Sequence, residues 1–278
     1  MPAVHMVSSP LDEAARSRLV FAGDLLVFRD VGALTVLAAS AEEIIRHVAG
    51  TADPTAAEPI GRVRDRFRRD PATRELLARA LEEVGVDIER AFWDRFHLRI
   101  SPPDARPAGS ATGTIGLHRD TWASNVLAQT NWWAPLRSLT RERTLAFHLA
   151  GWVRPLANTS ARWDLEEVRA QRRAGEEVAL VPELTEPVDP AGELRIVVEP
   201  GDLLCFSGAH LHGSVTNTSD RARVSVEVRT VHLDDLLAGR RAPALDGSAP
   251  RTAWSWFRRV ADGLALSEHP ELHGRLTG

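Results

Sequence analysis

The sequence contains no lysine and no tyrosine, and all 34 of its Lys or Arg positions are arginine. Two side chains that often hold an anionic ligand or donate a proton are therefore excluded. A fixed positive charge for an acidic ligand can come only from Arg, whose guanidinium binds carboxylates through two parallel hydrogen bonds.

Cysteine is also scarce, since Cys205 is the only one in the chain. A single cysteine excludes an intrachain disulfide and fits a reducing cytoplasm, and its place in the apolar run 203–206 predicts an inert, packed thiol. Residues 1–20 lack the basic-then-apolar pattern of a secretion signal, and no apolar run is long enough to cross a bilayer. We therefore expect a cytoplasmic protein without membrane association.

The charge balance gives no reason to expect a polyanionic partner. The formal net charge is −4 at pH 7, which argues against binding to nucleic acid or to an anionic membrane surface. The basic run 62–69 has acidic neighbours on a predicted helix, so we interpret it as a solvated face.

The chain is predicted to form one domain over 1–278, with a mostly helical N-terminal region at 1–112. Within that region the pattern favours a strand at 25–28 and helices beginning at Ser40 and at Asp70-Pro71. It also favours a further helix through Ile88, Phe92 and Phe96.

Short strands dominate the predicted core at 113–232, as at 125–136, 144–149, 203–206 and 224–231. This core contains a polar insertion at 152–192, with a predicted helix at 164–173. Trp152, Asn158 and Trp163 of the insertion are candidate pocket residues, although packing explains the two tryptophans equally well. A C-terminal tail at 233–278 contains a predicted helix around 253–260, and a loop is predicted from Ser101 to Gly113. Many short strands with turn signals favour a mainly β barrel or sandwich with flanking helices.

Two distant stretches carry residues suited to one metal site. His118 and Asp120 share one face if the segment is extended, because side chains alternate along a strand. Together with His212 they supply two imidazoles and one carboxylate, a set that leaves half of an octahedral metal open. A second His-x-Asp pair begins at His232, but no His-to-Arg step like that of His212 follows it. His210 shares a strand face with His212 and is the alternative distal ligand.

An arginine lies eleven residues beyond the distal histidine. Arg223 and Ser225 share one polar strand face, which suits a strand that borders a wet cavity, and Arg223 could hold a carboxylate co-substrate beside the metal. Gln129 and Asn131 share a face of another predicted strand. Because polar residues inside such a run are unusual, they are candidates for lining the co-substrate or substrate pocket, although a solvent-exposed face explains them equally well.

These motifs resemble the signature of Fe(II)/2-oxoglutarate-dependent oxygenases, specifically the phytanoyl-CoA dioxygenase-like family. The resemblance covers roughly residues 113–232. It is carried by His-Arg-Asp at 118–120, Gly-Asp-Leu-Leu at 201–204, His-Gly-Ser at 212–214, Asn217, Ser219 and Arg-x-Ser at 223–225.

The resemblance implies a double-stranded β-helix, or jelly roll of the cupin type, that binds Fe(II) through His118, Asp120 and His212. It implies 2-oxoglutarate as co-substrate, held by Arg223 and Ser225. It also implies O₂ and a small molecule, such as one of secondary metabolism, as reaction partners. Because Asp120 fills the position that halogenating relatives leave open, the expected reaction is hydroxylation or a related oxidation of a C–H bond, not halogenation. Two alternatives stay open: a cupin-like metal enzyme without 2-oxoglutarate, such as an isomerase or another oxygenase, and a non-catalytic ligand-binding barrel.

Overall fold

The computed structural model describes residues 2–51, 57–104 and 115–276. The helices within these ranges are α1 (Glu13–Ala22), α2 (Gly32–Ala49), α3 (Ala57–Arg69), α4 (Pro71–Glu83), α5 (Thr121–Ser124), α6 (Leu165–Arg173) and α7 (Leu233–Ala238). The strands are β1 (Val4–Val7), β2 (Leu25–Phe28), β3 (Ala91–Trp93), β4 (His97–Ser101), β5 (Thr130–Pro135), β6 (Leu145–Phe147), β7 (Leu194–Ile196), β8 (Leu203–Ser207), β9 (His212–Ser214), β10 (Arg223–His232) and β11 (Arg258–Arg259).

Two sheets organise these strands. The larger sheet has eight strands in the order β1-β2-β8-β5-β10-β3-β11, with β4 also paired to β10. The smaller sheet has the order β7-β6-β9. The β1–β2 pair is parallel, and the other strand pairs are antiparallel. The long strand β10 lies at the centre of the larger sheet and sets the register of β3, β4 and β5.

Strand β10 divides the larger sheet into an apolar face and a polar face. Val224, Val226 and Val228 belong to one buried cluster with side chains of α2, α3 and α4. The intervening side chains point the other way because successive residues of a strand alternate. Helices therefore cover one face of the sheet, as the sequence pattern predicts.

The smaller sheet packs against the opposite face. A second buried cluster joins Phe147 of β6 and Ile196 of β7 to Trp133 and Phe206 of the larger sheet. Between the two sheets lies a cavity of about 530 Å³, a volume typical of small-molecule sites. Its wall includes Arg223 of β10 and His212 of β9.

Several predicted elements are confirmed, including the strand at 25–28, the core strands 203–206 and 224–231, and the helix over 164–173. The helix that follows Asp70 is confirmed as well, and the Asp70 carboxylate accepts a hydrogen bond from the Ala72 amide as its N-cap. The loop predicted from Ser101 to Gly113 lies outside the described residues from position 105 onward.

Three helix predictions are wrong. The segment around Phe92 and Phe96 forms strands β3 and β4; residues four apart share a face of a strand as well as of a helix, so this spacing does not separate the two. Helix α2 begins at Gly32 rather than at Ser40, because its buried stripe already starts at Leu34. In the tail, a 3-10 turn at Trp254–Trp256 and strand β11 replace the predicted helix.

The larger sheet also extends beyond the predicted core. Four strands, β1 to β4, precede residue 113, so the N-terminal region contributes strands to the sheet as well as helices to its outer face. Likewise, the strand predicted at 125–136 begins only at Thr130. No described helix has both the length and the apolar character that crossing a bilayer requires.

Candidate metal centre

The two histidines are neighbours through their backbones. The His118 amide donates to the His212 carbonyl at 2.9 Å, and the His212 amide donates to the His118 carbonyl at 3.0 Å. This reciprocal pair is an isolated antiparallel β-bridge, so the two side chains leave the backbone on the same face. The ring centroids lie 4.5 Å apart.

The hydrogen bonds of the two rings leave the same nitrogen free on each. His118 Nδ1 lies 2.8 Å from the Gly116 carbonyl oxygen, and His212 Nδ1 lies 3.0 Å from the His210 carbonyl oxygen. A carbonyl accepts only from a protonated nitrogen, so both rings carry the proton on Nδ1 and present the lone pair of Nε2. This is the arrangement in which a backbone carbonyl orients a metal-binding histidine.

Asp120 completes a group of three possible ligands whose donor atoms all lie within 4.8 Å of one another. Its oxygens lie 3.8 Å from His118 Nε2 and 3.7 Å from His212 Nε2. Asp120 lies two residues after the bridged residue His118, at the start of the short helix α5. All three side chains are buried.

Both oxygens of the Asp120 carboxylate have a second partner. The side-chain amide of Asn131 donates to Oδ2. The side-chain amide of Gln129 in turn donates to the side-chain oxygen Oδ1 of Asn131 at 2.8 Å. Arg229 Nη1 lies 3.4 Å from Oδ1, while Arg229 Nε pairs with Asp94 at 2.7 Å. The carboxylate is therefore held on two sides, and its rotation is restricted before any ligand arrives.

The residue between the first two ligands points away from the centre and joins the surrounding loops. The buried Arg119 guanidinium donates to the carbonyls of Ala209, Gly151 and Arg154 and pairs with Asp246 at 3.2 Å. These contacts fix the segment 118–120 from behind.

Burial and neighbouring charges set the protonation states of two of the three residues. Burial, followed by the adjacent His118 ring, lowers the pKa of His212 to about 4, so its imidazole is neutral at pH 7. Burial alone would raise the pKa of Asp120, but Arg229 and the two imidazoles outweigh it and hold that pKa below its ordinary value. The site therefore presents the negative charge of Asp120 beside the neutral ring of His212.

Arg223 lies in the wall of the same cavity and has no carboxylate partner among the described residues. Its Nη atoms donate to the Thr144 carbonyl at 3.0 Å and to the hydroxyls of Ser101 and Ser214 at 3.2 Å and 3.0 Å. Its Nε is buried and unpartnered. Burial lowers the pKa of Arg223 to about 10, which leaves the guanidinium cationic at neutral pH.

Two of the predicted pocket residues take different positions. Gln129 is fully buried, does not border the cavity, and reaches the centre only through Asn131, which does border it. Ser225 is also fully buried with an unpartnered hydroxyl, and the cavity wall next to Arg223 is formed by Ser214 instead.

The ring of His210, the alternative distal ligand, binds backbone carbonyls. Its ring nitrogens lie 2.8 Å and 3.1 Å from the carbonyl oxygens of Gly23 and Ser207, and it belongs to no group of possible ligands within the described chain. Of the insertion residues expected near a pocket, Trp163 borders the cavity, whereas Trp152 packs against His210 at 4.4 Å and Asn158 binds backbone carbonyls.

Sequence reasoning did not identify Asp94, Arg229 or Trp133 as parts of the site. The alternation along β10 offered a signal for Arg229, since it shares the polar strand face with Arg223 six residues earlier. No local sequence pattern indicated Asp94, because the segment that contains it was predicted to be a helix. Trp133 shares a face with Asn131, and its indole Nε1 is buried without a partner.

No family model and no curated protein matches this chain. Among solved structures it is similar to EvdMO1 (18% identity, TM-score 0.48, covering 78% of this chain and 49% of that one). It is also similar to EvdO2 from Micromonospora carbonacea var. aurantiaca complexed with 2-oxoglutarate, with 17% identity and a TM-score of 0.48 over 81% of this chain and 93% of that one. The similarity to EctD from S. alaskensis in its apo form has 13% identity and a TM-score of 0.49 over 95% of this chain and 91% of that one. The chain thus spans about half the length of EvdMO1.

Gly213 lets the two ligand segments approach each other. A Cβ atom at this position would lie 2.8 Å from the Gly116 carbonyl oxygen, closer than a real Cβ approaches. Gly213→Ala should therefore separate the segments, lower the free energy of unfolding by about 1–3 kcal/mol, and weaken metal binding at least about tenfold. Chemical denaturation and titration with Co(II), followed by its visible absorption, measure the two effects.

Gly61→Ala is the matched control, because Gly61 lies in helix α3 and a Cβ there would meet nothing within 4 Å. It should leave Co(II) affinity unchanged. Wild-type affinity in Gly213→Ala would contradict the role of this close approach.

The contacts of Asn131 predict a second effect on the metal. Asn131→Ala removes the donor to Asp120 and frees the carboxylate to rotate, so Co(II) affinity should fall by about 10- to 100-fold. Asn158→Ala removes a comparable side-chain amide, which donates to the Leu156 and Asp246 carbonyls and accepts from the Ser160 amide but does not contact Asp120, and it should leave the affinity unchanged. Equal losses in both variants would show a general effect on folding rather than on the ligand.

Proposed function

We propose that this chain is a non-haem Fe(II)- and 2-oxoglutarate-dependent dioxygenase that hydroxylates a C–H bond of a small molecule, with release of succinate and CO₂. The observation that carries the proposal is the convergence of His118, Asp120 and His212 beside a cavity that also contains the unpaired guanidinium of Arg223. Two imidazoles and one carboxylate are the donor set of non-haem Fe(II) oxygenases and leave open positions for co-substrate and O₂.

The residues present fit both the metal and the co-substrate. Both histidines present an unprotonated Nε2, and the carboxylate is ionised. On the co-substrate side, Arg223 Nε and Trp133 Nε1 are buried donors without partners, and both residues border the cavity. A buried donor without a partner is costly unless a ligand supplies an acceptor. A dicarboxylate between the metal and Arg223 supplies such acceptors.

Each group of residues then has a distinct task. His118, Asp120 and His212 would hold the iron, which together with 2-oxoglutarate supplies the oxidising chemistry. Arg223 would bind the distal carboxylate of the co-substrate, with Trp133 and the Ser214 hydroxyl beside it. Phe206 and Phe147 pack against the His212 ring at centroid distances of 4.9 Å and 5.6 Å and exclude water from that side. Asn131 and Arg229 would keep the Asp120 carboxylate in one orientation.

The arrangement of the two sheets supports the finer fold proposal. A cavity enclosed between an eight-stranded sheet and a three-stranded sheet, with ligands at the open end of β9 and on the segment paired to it, is what a double-stranded β-helix of the cupin type provides. We propose this fold, and membership of the phytanoyl-CoA dioxygenase-like family, on the motifs and this geometry together. Residues 1–278 would then form a single oxygenase domain.

The direct test is anaerobic titration of the protein with Fe(II) and 2-oxoglutarate. The wild type should develop the visible charge-transfer band of the chelate, and admission of O₂ should yield succinate. His118→Ala and His212→Ala should lose the band, whereas Arg223→Gln should need about 10- to 100-fold more 2-oxoglutarate to form it, because a charged hydrogen-bonding partner is lost.

His273→Ala is the control, since His273 is exposed and distant from the cavity lining. A wild-type protein that binds Fe(II) tightly but shows no band with 2-oxoglutarate would instead favour a cupin-like metal enzyme of another class. A band retained by His118→Ala would contradict the proposed ligand set.

The presence of Asp120 also predicts the response to halide. Its carboxylate is held by Asn131 and Arg229 and would occupy the position on the metal that chloride needs. Chloride should leave the visible band of the wild-type chelate unchanged, whereas Asp120→Gly should bind chloride with a shift of the band. A chloride-dependent shift in the wild type would contradict the exclusion of halogenation.

A further inference from the structure

Each carboxylate that borders the cavity contacts a guanidinium, whereas two of the bordering guanidiniums have no carboxylate. The Glu227 carboxylate pairs with Arg99, Asp94 and Asp120 both pair with Arg229, and Glu166 pairs with Arg169 at 2.6 Å. These are all the carboxylates in the cavity lining of the described chain. Two guanidiniums of the lining remain without a carboxylate, those of Arg223 and Arg95.

The two unpaired guanidiniums differ in position. Arg223 is buried at one end of strand β10 and belongs to the co-substrate side under the proposed function. Arg95 has an exposed side chain, makes no hydrogen bond or ion pair within the described residues, and directly follows Asp94. Since Asp94 binds Arg229, Arg95 belongs to the other end of the same strand, about 20 Å from Arg223 along β10.

The metal ligands lie near the Arg229 end of this strand. Asp120 contacts Arg229 directly, and the three ligands share the cavity with both arginines. A co-substrate held at Arg223 therefore leaves the part of the cavity towards Arg95 for the molecule that is oxidised.

That second part of the cavity has a mainly apolar wall. The insertion and the tail supply the cavity with Trp163, Leu165, Leu180, Val181 and Trp256. Strand β11 begins two residues after Trp256 and pairs with β3 directly before Asp94, which places this wall near Arg95. The Trp163 indole Nε1 is buried without a partner. Such a wall binds an apolar body through burial of surface, and flat tryptophan rings favour ring systems as well as chains.

We propose that the primary substrate is an amphipathic anion, with an apolar body against Trp163 and Trp256 and a carboxylate or phosphate bound by Arg95 at the cavity mouth. This proposal depends on the proposed function, because it assigns Arg223 to the co-substrate. Arg95 is then a specificity-determining residue. It sets the direction in which the substrate enters and the distance between its charged group and the carbon that is oxidised.

The test uses a matched pair of fluorescent probes on the protein loaded with Fe(II) and 2-oxoglutarate without oxygen. 8-Anilinonaphthalene-1-sulfonate and N-phenyl-1-naphthylamine share an apolar body and differ in one anionic group. The anionic probe should bind about tenfold or more tightly than the neutral one, since a charged hydrogen bond is added. Arg95→Gln should remove this preference and leave the affinity for the neutral probe and the visible chelate band unchanged.

Arg18→Gln is the control, because Arg18 is exposed on α1 and does not border the cavity; it should leave both affinities unchanged. Decanoate and decyl phosphate are then tested as competitors of the bound sulfonate probe. The stronger competitor shows whether the anionic group of the substrate is a carboxylate or a phosphate. Failure of the anionic probe to bind, an unchanged preference in Arg95→Gln, or displacement by decan-1-ol but by neither anion would overturn the proposal. Absence of the chelate band in the wild type would instead refute the proposed function, so the two failures are distinguishable.

Discussion

The reciprocal pair of backbone hydrogen bonds between His118 and His212 is the contact on which the site depends. It joins two segments that are 94 residues apart in the sequence and places both imidazoles on one face. Gly213 permits the approach because no Cβ fits between the segments, and Arg119 secures the first segment from behind. Because the pairing is made by backbone atoms, the site is built by the same interactions that build the sheets.

A second constraint is electrostatic. Strand β10 carries valines on the face beneath the helices and charged side chains on the face towards the cavity, and each buried charge on that face has a compensating partner except Arg223. Buried ions are stable only when they are paired and hydrogen-bonded. An unpaired buried cation in a cavity whose carboxylates all contact guanidiniums therefore indicates where an anionic ligand belongs. Arg95 is exposed, and its assignment depends instead on its place in the cavity lining without a carboxylate partner.

The two faces of β10 were predictable from the alternation of side chains along a strand. The proximity of His118 and Asp120 was predicted from the same rule, but the structure achieves it differently, because Asp120 has helical dihedral angles at the start of α5. Strand alternation could not reveal that Gln129 acts only through Asn131, that Ser214 and not Ser225 borders the cavity, or that Arg229 joins Asp94 to the Asp120 carboxylate, since these relations arise from tertiary packing. Aromatic residues four apart at Phe92 and Phe96 fitted both a helix and a strand, and pairing with β10 decided for the strand.

The most direct measurement of the central claim is anomalous diffraction at the iron edge from crystals grown without oxygen in Fe(II) and 2-oxoglutarate. The account predicts one iron atom bound by the Nε2 atoms of His118 and His212 and by the Asp120 carboxylate, with the distal carboxylate of 2-oxoglutarate on Arg223. Iron bound elsewhere, or 2-oxoglutarate that makes no contact with Arg223, would contradict it.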